Sequence, residues 1–338
     1  MSKYKAIDLF AGIGGIRMGF DQAFGKRGIE TVFVSEVDKP ACMTYRANFT
    51  DSFDIAGDIT AISASDVPDF DICLAGFPCQ AFSIAGQKKG FEDSYKGRSR
   101  GTLFFDTLRI CTDRVNKPRV IFCENVKGLP MHDRGKTLQT ILGALKEDGY
   151  VPFWKVLNSR DFGVPQNRER IYIVAFRQDV APLEFAFPTR GGKKKTIRDI
   201  LDDAPISAKY YLSDVYVETL RRHRAHHESI GNGFGYKIRD IDGVAGAIVC
   251  GGMGRERNLI IDHREHSMTP VTHIKGEINK EDIRKMTPRE WARLQGFPDN
   301  YKFVLSDTHL YKQFGNSVTV PVIKAIAKKI KKVLDEAE

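Results

Sequence analysis

The sequence predicts a doubly wound α/β fold with a smaller, irregular lobe behind it. Three observations predict it. Short apolar runs alternate with amphipathic stretches through the first 187 residues. The runs are nearly continuous in Ile, Val, Phe and Leu, as strands covered on both faces are. Glycines and acids gather where the runs end, and such sheets hold ligands beyond the carboxyl ends of their strands.

In chain order, the strand candidates are residues 6–10, 31–37, 71–76, 119–124, 152–157 and 170–176. Helix candidates lie at 16–26, 40–48, 102–115 and 136–148. In the third, Phe104, Leu108, Cys111 and Val115 share one face. The texture changes near Phe187. From 188 to about 284 the chain is rich in Gly, Arg, His and Lys, with only short apolar runs. Residues 189–195 (TRGGKKK) read as a linker or exposed loop, and 221–227 (RRHRAHH) and 251–257 (GGMGRER) are cationic. This predicts a second domain with few regular elements. Regular structure returns at 287–294, where Thr287 and Glu290 have capping-box spacing and Pro288 takes the first helical position. A last helix, 318–338, puts Ile323, Ile326, Ala327, Ile330, Val333 and Leu334 on one face, with its lysines mostly opposite. The plan is therefore 1–187, an inserted lobe 188–285, and a return to the first domain over 286–338. No internal repeat is visible.

The chain has 338 residues, 42% hydrophobic, enough for a sizeable core. Lys and Arg total 52 against 43 acids, a net charge of +9 with pI near 9.1. A basic balance favours a polyanionic partner, although the last helix accounts for part of it as a solvated face. Six cysteines without a CxxC pair are the usage of a reduced, cytoplasmic protein, not a disulfide scaffold. No apolar run of about 20 residues or signal-like start argues for a membrane or secretion. His226, His227, His263 and His266 read as polar loop residues, and no metal site is expected.

The chemistry gathers at strand ends. Residues 8–15 (DLFAGIGG) end a strand at Phe10 and turn through glycines into a helix, letting a ligand approach the backbone. Gly12 and Gly14 fit a dinucleotide fingerprint, but Arg17 holds its third glycine place. Glu36 sits where an acid accepts ribose hydroxyls, and Asp58 follows in GDI. Acids without a phosphate-binding pattern suit an adenosine ligand lacking phosphates, such as S-adenosylmethionine. In residues 76–83 (GFPCQAFS), Cys79 follows Pro78 just after a strand. A loop thiol there can react, given nearby cations or backbone NH groups to favour the thiolate. Glu124, in CENV, can protonate a substrate ring nitrogen. In QNRERI, Arg168 and Arg170 alternate toward one side, either as a solvated edge pair or as a cationic clamp.

In this order DLFAGIGG, SEVD, GDI, GFPCQAFS, RGTLFFD, ENVKGL, QNRERIYIVAF, TPREWARLQGFP and QFGNSV resemble the bacterial DNA cytosine-C5 methyltransferases. The set spans residues 8–318 and is similar to compact restriction–modification enzymes of GCGC-type methylase layout. The resemblance implies a Rossmann-like S-adenosylmethionine-dependent domain with a target-recognition domain over 188–285. It implies a cofactor pocket at Phe10, Gly12, Gly14, Glu36, Asp58, Ile59, Pro78, Leu103 and Asn316. It makes Cys79 the nucleophile and Glu124 the acid at ring N3, with Arg168 and Arg170 holding the cytosine and the active-site loop. Gln80 and Ser83 fall in that loop, and Arg255, Arg257 and Asn258 are expected base readers. Phe234 stands about where a related enzyme type has a glutamine, and is expected to wedge into the duplex. Two further departures are Val37, where some members have an aromatic, and Ala85, where one type has a serine. The implied partners are double-stranded DNA and a separately acting restriction endonuclease, and the implied state is a monomer. Three other readings stay open here: an RNA cytosine-C5 methyltransferase sharing these motifs, a catalytically silent nucleic-acid binder, and a nucleotide-dependent oxidoreductase.

Overall fold

The computed structural model describes residues 4–78, 103–251, 254–264 and 276–337, with the backbone of 94–95, 98–99 and 266–267. Cys79, Gln80, Ser83 and Ala85 lie outside the described residues. Six strands form one sheet: β1 (Tyr4–Leu9), β2 (Ile29–Ser35), β3 (Ile72–Ala75), β4 (Val120–Val126), β5 (Tyr150–Asn158) and β6 (Glu169–Arg177). Their order is β2-β1-β3-β4-β6-β5. β1 runs parallel to β2 and β3, and β3 to β4. β6 lies antiparallel between β4 and β5. The order reverses at β1 and β3, a topological switch point where such sheets place ligands. All six predicted strands form within two residues of their expected bounds.

The main helices are α1 (Gly15–Phe24), α2 (Lys39–Asn48), α3 (Leu103–Thr112), α4 (Lys136–Glu147), α5 (Asp214–Ser229), α6 (Pro288–Leu294), α7 (Asp307–Asn316) and α8 (Val320–Glu336). Four of them, α1 and α8 on one side and α3 and α4 on the other, cover the faces of the sheet. On one face Phe20 of α1 and Ile323, Ile326, Ile330 and Leu334 of α8 pack on Ala6, Ile72, Leu74, Val120 and Phe122. On the other, Phe104 and Leu108 of α3 and Leu138, Ile141 and Leu145 of α4 pack on Ile7, Leu9, Cys73, Ala75, Ile121 and Cys123. Alternate strand residues thus serve opposite layers. The last helix packs back on the sheet because its apolar stripe completes this core.

Three sequence expectations need correction. The third helix stops at Thr112, so Val115 is 99% exposed rather than on the apolar face. The second lobe holds more regular structure than its composition suggests. The run RRHRAHH lies within the 16-residue α5, capped where Ser213 Oγ accepts the Tyr216 N–H. His226 and His227 are therefore helical, not loop residues. Helix α7 has no counterpart among the predicted elements, although it buries Leu310, Tyr311 and Phe314. The capping box holds: Thr287 and Glu290 exchange hydrogen bonds of 3.1 and 2.7 Å.

Leu212, Val217, Leu220, Leu259 and Ile283 form a small core of the lobe's own. Ile197, Ile200, Ala245, Ile248 and Ile260 instead pack with Trp291, Leu294 and Phe314. The lobe and the returning segment are also joined by Arg284. It is fully buried, meets both Glu290 oxygens at 2.8 Å and Asp262 at 2.7 Å. A buried cation persists only when so compensated. No helix among the described residues is long and apolar enough to cross a membrane.

Gly19 of α1 marks the closest approach to α8: a Cβ there would lie 2.5 Å from Ile323 Cβ and 3.0 Å from Lys324 N. Alanine for glycine inside a helix normally stabilises by about 0.5–1 kcal/mol. Overpacking costs about 1–3 kcal/mol, so Gly19→Ala should be net destabilising. Urea unfolding checks this, and a stabilised variant would contradict the close packing.

Candidate active site

The turn after β1 is built on left-handed residues. Phe10, Gly12 and Gly14 have φ of 56°, 55° and 77°. A bulky side chain rarely sits there, and such strain clusters at functional sites. A Cβ on Gly14 would run into the Phe49 ring, whereas one on Gly12 would meet open space. Gly14 thus serves packing, and Gly12 leaves room for a ligand. The Gly12 N–H donates to Glu36 Oε2 at 2.7 Å, and the Asp38 N–H to Oε1 at 2.7 Å. Glu36 is thereby fixed beside the turn. A parallel bridge from Ser35 to Ala56 carries the chain along β2 to Asp58, which accepts the N–H and hydroxyl of Thr60.

Beneath the turn, Asp8 is fully buried, and Oδ1 has no hydrogen-bond partner among the described residues. Burial pushes its carboxyl up to about 8, against the downward pull of Arg17. Arg17, the residue that broke the dinucleotide pattern, pairs bidentately with Asp51 at 2.6 and 2.8 Å and lies 4.4 Å from the Phe49 ring. It is a packing element there.

The loop after β3 starts beside this turn, since Ala75 is in register with Leu9. Asn125 of β4 donates to Phe77 O at 3.2 Å and so fixes the approach to Pro78. Sequence reasoning passed over Asn125, although it lies within the ENV motif. Its neighbour Glu124 has 12% side-chain exposure and an ion pair of 3.2 Å from Oε1 to Arg170 Nε. The pair is diagonal on β4 and β6: Glu124 faces Tyr172 and Arg170 faces Val126. Burial pushes the Glu124 carboxyl up, and Arg170 and then Arg168 pull it only partly back.

Arg168 lies deeper in the fold than Arg170. It is 3% exposed and donates to Ile248 O at 2.6 Å, Ser317 O at 2.7 Å and Gly315 O at 3.3 Å. It braces the turn that presents Asn316. Gln295, also unforeseen, donates to Phe314 O at 2.9 Å and Ser317 O at 3.1 Å. A Cβ on Gly15 would meet Ser317 Oγ at 2.8 Å, which puts Asn316 next to the β1 turn. Phe10, Ile59, Phe77 and Leu103 all belong to the apolar layer on one face of the sheet. The expected cofactor residues thus gather around the ends of β1, β2 and β3.

The expected DNA residues divide. Phe234 is 55% exposed, with the Arg257 guanidinium 5.1 Å from its ring. Arg255 lies 5.4 Å from the Tyr311 ring. Asn258 is a correction: it is fully buried, and Oδ1 accepts from Gly246 N at 2.8 Å and Arg239 Nε at 3.2 Å. It holds a loop and cannot read bases. A cavity of about 470 Å³, lined by Asp202, Tyr210, Arg289, Arg293 and Asp307, shares none of these residues. Its arginines are occupied, Arg289 by Tyr301 O and Arg293 by Asp202 and Asp299.

Residues 4–332 match the family model described as C-5 cytosine-specific DNA methylase. Type II methyltransferase M.HpaII of Haemophilus parainfluenzae is 55% identical over 332 residues, covering 97% of this chain and 89% of the relative. Type II methyltransferase M.NlaX of Neisseria lactamica is 45% identical, covering 98% and 97%. Among solved structures, the Entamoeba histolytica methyltransferase EhMeth aligns with TM-score 0.77 at 21% identity, covering 100% of both chains. The S. pombe Dnmt2 methyltransferase aligns with TM-score 0.69 at 20% identity, covering 98% of each. Both share the fold.

Arg168→Lys keeps the charge but cannot reach three carbonyls in a fork. Hydrogen bonds to a charged group contribute about 1.5–3 kcal/mol, so stability should fall by about 2 kcal/mol or more. Chemical denaturation measures it, and unchanged stability would remove the brace from the account.

Proposed function

The chain belongs to the C-5 cytosine-specific DNA methylase family and is a DNA cytosine-C5 methyltransferase; from that premise we propose how its residues divide the work. The observation that carries the reading is Glu124, a buried acid with a raised pKa beside Arg170, one residue from the Asn125 that holds the Phe77–Pro78 approach. Cys79 comes next in the chain.

The residues around β1 and β2 suit S-adenosylmethionine. Asp8 brings a buried oxygen without a hydrogen-bond partner among the described residues beneath the turn, and Glu36 stands fixed beside it, where a carboxylate suits ribose hydroxyls rather than phosphate. Phe10, Gly12, Gly14, Glu36, Asp58, Ile59, Pro78, Leu103 and Asn316 would hold it. Once bound, it supplies an electrophilic methyl group on a sulfonium.

The Cys79 thiolate adds to C6 of cytosine, forming an S–C6 bond and breaking the ring's aromaticity. Electron density moves toward N3, where protonated Glu124 donates. C5 becomes nucleophilic as a result and would bond to the methyl group that bound S-adenosylmethionine supplies, its sulfur leaving as a neutral thioether. Transfer of the C5 proton to solvent then breaks the S–C6 bond, the N3 proton returns to Glu124, and Cys79 leaves as the thiolate. Attack on C6 comes from the ring face, which a stacked neighbour covers in a duplex. The base must therefore flip out, at a cost of a few kcal/mol. Arg170 orients Glu124. Residues 188–285 would read DNA, with Phe234, Arg255 and Arg257 as contacts, and Gln80 and Ser83 on the loop beyond Cys79. Phe234 stands exposed, as a wedge requires. The family description and the relatives' names favour DNA over RNA. In this reading the enzyme is a cytoplasmic monomer with residues 1–187 and 286–338 as its catalytic part. It protects host DNA from a separately acting endonuclease.

Cys79→Ala should abolish methyl transfer while duplex binding survives, and duplex carrying 5-fluorocytosine at the target should be captured covalently on Cys79. Turnover by Cys79→Ala, read by tritiated-methyl incorporation, would discard the nucleophile. Because burial raises the Glu124 pKa, the proton it donates persists at low pH and is lost as pH rises through that raised value. The rate should fall on that alkaline side. Glu124→Gln should slow the chemical step roughly a hundredfold or more in single-turnover kinetics and remove that pH limb; an unchanged profile would end the assignment.

A further inference from the structure

Helix α5 carries His223 and His227 four residues apart, so both rings leave one face. Their Nε2 atoms are 3.2 Å apart and their ring centroids 4.4 Å. Two imidazole nitrogens at about 2.0–2.1 Å from one tetrahedral metal stand about 3.4 Å apart. The pair already holds chelate spacing. Both Nδ1 atoms are shielded from solvent without a hydrogen-bond partner among the described residues. No outside group among the described residues therefore fixes either tautomer, and a metal replaces the contact between the two Nε2 atoms once the donating ring carries its proton on Nδ1 instead. Asn232, whose N–H donates to His227 O at 3.0 Å, brings a shielded, unpartnered side-chain oxygen to the same turn. The flanking charges Arg224 and Glu228 pair with each other at 2.7 Å.

We propose that His223 and His227 bind a borderline divalent transition metal, of the zinc, nickel or copper class, leaving its other positions to water or an anionic oxygen. The site bears on function through its neighbour. The His227 ring lies 5.9 Å from Phe234, which in turn lies under Arg257. A metal clamps the His227 rotamer and so stiffens the platform that carries Phe234. This consequence rests on the assignment of Phe234 to DNA contact.

Metal-free protein titrated with Zn²⁺ in a calorimeter should bind at this site, and His223→Ala and His227→Ala should each weaken that binding at least tenfold. Thiols also take zinc, so histidine dependence is the readout rather than activity. Equal affinity in all three proteins overturns the site. Zn²⁺ should also change the affinity for duplex DNA at least threefold in the wild type and not in His223→Ala. An unchanged wild type overturns the link to Phe234. Phe234→Ala measured without metal tests the DNA assignment separately: wild-type duplex affinity there faults that assignment and leaves the zinc titration to judge the site.

Discussion

Arg168 carries a permanent charge into the interior, where its donors must be met or the fold pays several kcal/mol. The carbonyls that meet it come from residues 80 and 149 positions further along the chain. One side chain therefore ties the entrance of β6 to the lobe at Ile248 and to the turn around Asn316. Gln166 repeats the connection, accepting the Ile248 N–H at 3.0 Å and donating to Leu294 O at 2.8 Å. These links explain why the lobe shares a core with the returning C-terminal segment. A lobe joined only by the linker near residue 190 would have no fixed position over the strand ends.

Two residues on, Arg170 does different work with the same guanidinium. A carboxylate held bidentately by arginine would be locked in its charged form. Arg170 Nε lies 3.2 Å from Glu124 Oε1 as an ion pair without making a hydrogen bond to it, while Nη1 donates to Glu169 O at 2.8 Å. The attraction is enough to aim the acid and too little to cancel its burial. The pKa stays raised, which suits the proton donation proposed for it. A long, unbonded ion pair of this kind suits the acid role proposed for Glu124 better than a bidentate one would.

The sheet and the strand-end motifs were legible because their signals are local: an apolar run, then a turn, then a polar residue at a fixed offset. Other residues were misread where the deciding contact is remote. Arg168 and Arg170 look like one alternating pair, but residue 168 lies between the short 166–167 strand and β6, and the alternation restarts there. Asn258 has the chemistry of a base reader. The group it serves is the Gly246 N–H, whose need for an acceptor no pattern reveals. Helix α5 escaped because only Val217 and Leu220 are buried, too few to give a periodic stripe. Gln295 and Asn125 act on carbonyls of other segments and carry no sequence signal of that task.

The turn and the loop proposed for the two halves of the reaction begin on neighbouring strands. β1 and β3 lie about 4.8 Å apart, as hydrogen-bonded strands do, and their ends are in register at Leu9 and Ala75. The turn that bears Phe10 and the loop that leads to Pro78 therefore leave the sheet side by side. Reacting groups must come within about 3–3.5 Å to form a near-attack geometry. Strands further apart would need long loops to close that gap, and long loops position poorly. Here Glu36 pins one exit through Gly12 and Asn125 pins the other through Phe77, each at hydrogen-bond range of the sheet. Proximity is thus set mainly by strand order, and side chains correct only the last few ångströms.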